Sequence, residues 1–110
     1  MINETILKIQ KTIANSKTIS EENRKELLQL VSSLEHEVLD VARSDREEAQ
    51  SIANFASASA HEAMKEKVDS RMFELAREGL MASVRKFEVT HPDLVSVVNA
   101  ISTMLANMGI

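Results

Sequence analysis

An all-α fold is predicted by three features of this 110-residue chain. Turn formers are scarce, with two Gly and one Pro, so the backbone has few places for tight reversals. Strong helix formers are abundant, Ala, Leu, Glu, Lys and Met among them. Apolar residues recur at spacings of three and four along most of the length, the period of one face of a helix. Together they predict a single helical domain over residues 1–110, an elongated bundle of three or four helices with antiparallel hairpins and a long central helix.

The first segment runs from Ile2 to about Asn15. Ile2, Ile6, Ile9 and Ile13 fall on one narrow helical stripe, with Lys8 and Lys11 on the opposite side. A polar stretch from Ser16 to Ser20 predicts the first turn. Ser20 is placed to cap the next helix, and Glu21 and Glu22 follow where the helix dipole favours negative charge. That second helix is expected to reach Arg43. Leu27, Val31, Leu34, Val38 and Val41 form its stripe, widened by Leu28, Leu30, Leu39 and Ala42. Residues 1–43 thus predict an N-terminal helical hairpin.

Ser44-Asp45-Arg46-Glu47 reads as a capping box with Ser44 as the N-cap, which starts a new helix. The competing reading is that the second helix runs on, because no Gly or Pro intervenes. From Asp45 to Phe87 the only breaker is Gly79, so residues 44–88 predict one long helix. Forty-three helical residues span roughly 65 Å. Within it, Ser51 to Ala63 is rich in Ala and Ser, which suits close helix approach, a bend or a mobile segment. Further on, Val68, Met72, Leu75, Gly79 and Ala82 share one line, and Phe73, Ala76, Leu80, Val84 and Phe87 lie beside it. Together they are wide enough to contact two neighbours. Gly79 costs about 1 kcal/mol relative to Ala and permits a close crossing.

Thr90, His91 and Pro92 mark the clearest boundary. Pro92 disfavours helical backbone at His91 and fits the first turn of a new helix, with Thr90 as its cap. Leu94, Val98, Ile101, Leu105 and Met108 then form a seam at coiled-coil spacing, with Val97 and Met104 on its edge. Gly109 is placed to take the left-handed position that ends a helix, and Ile110 to pack against Leu105.

This last segment carries no ionisable side chain from Leu94 onward. The polar positions are Ser96, Asn99, Ser102, Thr103 and Asn107, where an exposed helix normally shows Lys, Glu or Arg. The expectation is a helix covered on more than one side by a second copy of the chain. A homodimer is predicted, with Leu94, Val98, Ile101, Leu105 and Met108 near the shared core and with Asn99 and Thr103 fixing the register by hydrogen bonds.

Several functions are disfavoured by composition. Net charge is −4, with basic and acidic residues interleaved, so the clustered positive charge that nucleic acid requires is missing. There is no Cys, hence no disulfide and no thiolate chemistry, which suits a reducing, cytoplasmic setting. No basic start followed by an apolar run predicts a signal peptide, and the uncharged C-terminal stretch is too short and too polar to predict a transmembrane helix. His61-Glu62 begins like a zinc-protease helix, but Lys65 stands where the second His is needed. His36 lies between Glu35 and Glu37, which point to different faces. His91 has two readings: a contact sensitive to pH, since imidazole titrates near neutrality, and a residue that orders the helix start. The Met residues on apolar stripes, Met64, Met72, Met104 and Met108, read as core. No Gly-rich phosphate loop and no framed nucleophile are present, so no cofactor, metal or catalytic residue is expected.

The stretch Phe87-Glu88-Val89-Thr90-His91-Pro92-Asp93-Leu94, followed by Leu105-Ala106-Asn107-Met108-Gly109-Ile110, resembles the C-terminal signature of a family of short bacterial helical proteins of unknown function. The resemblance is strong over residues 73–110 and loose over residues 1–43. Residues 49–63 depart from the pattern, as an insertion would. The resemblance implies a bacterial origin and a helical fold, and supplies no activity, ligand or catalytic residue. The function expected is that of a non-catalytic helical protein acting through self-association or by docking another protein's helix. The alternative is a small regulatory or ligand-sensing protein with a pocket between helices.

Overall fold

A computed structural model describes residues 1–108. Among these, five α-helices follow one another: α1 (Ile2–Ala14), α2 (Glu21–Ala42), α3 (Arg46–Ala63), α4 (Ser70–Val84) and α5 (Pro92–Met108), with a single 3-10 turn at Arg85–Phe87. The first two meet the expectation. Ile2, Ile6, Ile9 and Ile13 are the buried face of α1, and Leu27, Val31, Leu34, Val38 and Val41 that of α2. Ser20 caps α2 by accepting from the Asn23 N–H at 3.1 Å. Arg24 closes the end of α1 from the neighbouring helix. Its guanidinium donates to the carbonyls of Ile13, Ala14 and Ser16 at 2.6, 2.8 and 2.8 Å, satisfying oxygens that the helix end leaves free.

The predicted long helix over residues 44–88 is not there. It breaks at Met64–Asp69, so the bundle has five helices rather than three or four. Asp69 restarts the chain by accepting from the N–H groups of Arg71 and Met72 at 3.0 and 3.2 Å. The residues before it, Lys65, Glu66 and Lys67, have good helix propensity. Packing overrides them, because α4 must turn back to bury Phe73, Leu80 and Val84 against α3. A fully buried side chain of that size contributes about 1.5–3 kcal/mol. The break also removes the predicted elongation: the molecule measures 37 × 24 × 21 Å, well short of the roughly 65 Å that one unbroken helix needs.

The start of α3 lies one residue later than the predicted capping box. Asp45, not Ser44, is the N-cap, accepting from the Glu48 N–H at 3.1 Å, while Ser44 donates back to the Val41 carbonyl. The Ala/Ser-rich stretch is a continuous helix and the centre of the bundle. It packs against each of the other four helices, and Ala49, Ile52, Ala53, Ala56, Ser59, Ala60 and Ala63 are all buried. Small side chains are what allow neighbours to approach on several sides.

α3 and α4 run antiparallel, as the pairs Glu48–Lys86 at 3.0 Å and Phe55 over Gly79 require. A Cβ added at Gly79 would run into the Phe55 ring, so the predicted close crossing is real and Phe55 is what fills it. The two lines predicted on this helix part company. Phe73, Leu80, Val84 and Phe87 are buried, whereas Met72 and Leu75 remain 47% and 53% exposed. Met72 is therefore not core; Met64, Met104 and Met108 pack against the core edge as expected. Leu39, predicted to widen the α2 face, is exposed too.

Candidate functional site

α5 is positioned at its start by a small polar cluster. Helix geometry begins at Pro92, whose missing N–H costs nothing in a first turn. His91 is the residue just before it, and its carbonyl accepts from Leu94 N–H at 3.1 Å. The imidazole bridges two elements. Nε2 lies 3.2 Å from Asp40 Oδ2 on α2, and Nδ1 is 2.9 Å from the Thr90 hydroxyl. The Phe87 ring meets it edge-on at 5.5 Å. Thr90 therefore does not cap the helix as predicted; its hydroxyl is engaged with His91. Asp40, fifty-one positions upstream, is the partner of His91 that spacing alone gave no means to find.

From this anchor α5 runs antiparallel to α2, with its start beside Asp40 and its far end beside Asn23 and Glu26. Leu94, Val98, Ile101 and Leu105 are buried within the single chain, against α2, α3 and α4. The seam predicted to lie between two copies is thus occupied by the protein's own core and is not a free surface. Ser102, predicted on the polar side, is buried at 1% exposure with a hydroxyl that has no hydrogen-bond partner. Met108 is half-buried at the edge. The predicted helix stop at Gly109 and Ile110 lies outside the described residues.

What α5 turns outward is a different row: Ser96, Asn99, Ala100, Thr103 and Asn107, all exposed. At 100° per residue these five fall within one arc of about 100°, opposite the buried seam. None is ionisable. Asn99 and Thr103, two of the predicted contact residues, are on this row. Beside it, α5 and α2 form a groove of about 610 Å³, open to solvent. Asn23, Glu26 and Leu30 line one wall, and Asn99, Thr103 and Asn107 the other. The α2 wall was missed by sequence reasoning, since nothing in the local pattern says which helix will lie alongside.

The other histidines stay apart. His36 and His61 are exposed, and among the described residues no group of three His, Asp or Glu side chains comes close enough to hold a metal ion. No helix among them is long and apolar enough to cross a membrane.

The family model described as Domain of unknown function (DUF4404) matches residues 27–110. The chain belongs to this family. The bounds of the DUF4404 match take in the Ala/Ser-rich α3 and the entire α4–α5 region, and the match begins within α2. Both the His91–Asp40 anchor and the outward row of α5 therefore lie inside the DUF4404 segment. No curated protein and no solved structure matches the chain.

Proposed function

We propose that this member of the DUF4404 family is a non-catalytic, cytoplasmic helical protein that acts by associating with itself, using the outward row of α5 as the contact. The supporting observation is the absence of charge on that row, at a place where the chain exposes five neighbouring side chains. The chain as a whole carries 30 charged side chains in 110 residues. Uncharged amide and hydroxyl groups lose less on desolvation than Lys or Glu, so this row costs less to cover than a charged helical face. The cores of protein interfaces are depleted in charge in the same way.

Light scattering at micromolar concentration tests this reading. Wild-type protein is expected at twice the chain mass of 12.2 kDa. Thr103→Lys is expected to weaken the dimer by about 2 kcal/mol or more, roughly thirtyfold in Kd, because it places an unpaired charge at the centre of the contact. Its helical circular dichroism should not change, since Thr103 is exposed in the isolated chain. A wild type that stays at the mass of one chain sinks the proposal.

A further inference from the structure

We infer that the exposed face of α4 takes a second copy of this chain, with the two α4 helices antiparallel and the two-fold axis level with the midpoint between Glu74 and Leu75. This contact lies on another side of the molecule from the α5 row and does not depend on it: α4 is bordered by α3, the α5 row by α2. Large apolar side chains gather here, since Met72, Leu75 and Phe55 are all exposed. Met72 and Leu75 are neighbours three apart on one helix face. Gly79, one turn further on, has no side chain, so the Phe55 ring from α3 lies over its backbone and continues the surface. Two charges of opposite sign border it. Arg71 and Glu78 are exposed, and among the described residues neither side chain makes an ion pair, whereas the neighbouring Glu74 is held by Arg77 at 3.3 Å.

The order of these groups around the helix selects both occupant and direction. At about 100° per residue, Arg71 and Glu78 lie about 40° and 60° to one side of Leu75, while Met72 and Gly79, the latter under the Phe55 ring, lie about 60° and 40° to the other. α4 thus has a charged flank and an apolar flank, with a leucine between them. A two-fold axis perpendicular to antiparallel helices brings like flank to like flank. Arg71 and Glu78 are equally far from the midpoint between Glu74 and Leu75, on opposite sides. Each Arg71 therefore meets the partner's Glu78, and the pair forms twice. Leu75 meets the partner's Leu75 within about 1.5 Å along the axis, and the Phe55 ring comes within about 3 Å along the axis of the partner's Met72. Parallel helices instead set the charged flank of each copy on the apolar flank of the other, which desolvates Arg71 and Glu78 without pairing them. A face that complements itself in charge and in apolar outline selects a second copy in the antiparallel sense. Only three large apolar side chains per copy and two solvent-exposed ion pairs take part, so the contact is weak and forms above the micromolar range. Copies joined through α4 as well as α5 assemble beyond two chains.

The chain contains no Cys, so single cysteines report contacts without background. Leu75→Cys and Ala82→Cys, both at exposed positions of α4, are oxidised separately with copper phenanthroline at submillimolar concentration, and the disulfide-linked fraction is followed by mass. Antiparallel docking brings the two sulfurs of Leu75→Cys together at the axis and holds those of Ala82→Cys about 22 Å apart along the helices, so the first links at least about tenfold faster. Added to Leu75→Cys, Arg71→Glu slows linking at least about fivefold at low salt, because both ion pairs become like-charge contacts. Arg71→Glu together with Glu78→Arg restores the rate. Equal rates at positions 75 and 82 overturn the inference: insensitive to charge, they report chance collisions, and sensitive to charge, they report parallel helices. Slow linking at both positions, or a double exchange that restores nothing, overturns it as well. Because the readout is a bond formed on α4, none of these outcomes bears on the α5 contact, and a one-chain mass at micromolar concentration does not bear on this one. Circular dichroism of each variant confirms that the exposed substitutions leave the fold in place.

Discussion

α3 and α5 are both helices whose sequences depart from the usual exposed pattern, and they depart for opposite reasons. α3 is rich in Ala and Ser because it lies at the centre of the bundle and must let four helices come near. From Leu94 onward, α5 has large Leu, Val and Ile on one side and only small neutral groups on the other. Its large side chains fill the core from the outside, and its neutral side faces solvent. Missing bulk therefore reports burial within the chain in α3, whereas missing charge does not report burial within the chain in α5. Charge is excluded from a core, but a core is not the only place from which charge is absent.

That contrast can be broken most severely in α5. Val98→Glu puts a carboxylate at a position with 0% exposure and no partner. The expected loss exceeds about 4 kcal/mol, enough to unfold a domain of ordinary stability, and it reads out as lost helical circular dichroism at 25 °C. This substitution therefore probes folding, not docking. In α3 the expected failure is overpacking. Ala53→Leu forces a large side chain between helices that meet over a methyl group, at a cost of about 1–3 kcal/mol in urea unfolding. If Ala53→Leu is neutral, α3 is less closely surrounded than its burial implies.

Smaller effects sharpen the picture. Ser102→Ala removes a buried hydroxyl that has no partner, and is expected to stabilise the fold by about 1 kcal/mol, seen as a higher urea midpoint with an unchanged slope. His91→Ala cuts the link between the start of α5 and Asp40, and is expected to cost about 1 kcal/mol by the same measurement. The least effect on the isolated fold belongs to Asn99→Lys on the outward row, within about 0.5 kcal/mol, while the proposed self-association through α5 requires its light-scattering mass to fall toward that of one chain. A large stability loss there would mean that the outward side of α5 is not free.

Much of the fold was legible because helical periodicity is a local property. The four Ile of α1, the five-residue stripe of α2, the Ser20 cap and the Pro92 start each need only residues within a few positions of one another. What was misread depends on residues far apart. The turn at Met64–Asp69 carries no Gly or Pro, and its one local sign was Asp69 before Ser70. The capping site at Asp45 was off by one because Ser44 and Asp45 have equally suitable side chains, and the geometry of the turn selects between them. The candidate site was half legible. Asn99 and Thr103 are on the outward row as the helical period places them, but the Leu94–Leu105 seam was assigned to a partner when α2, α3 and α4 already cover it.

The sequence by itself determined that this chain is helical, which face of each helix is apolar, and that α5 has one side without charge. Those properties follow from backbone propensity and from the 3.6-residue period, and they need no neighbour to be defined. Tertiary structure alone decided that the central segment folds into two helices, that the small-residue helix occupies the middle, and that the seam of α5 is satisfied within one chain. Burial is a relation between distant surfaces: an apolar stripe states that it must be covered, and only the packed arrangement states by what.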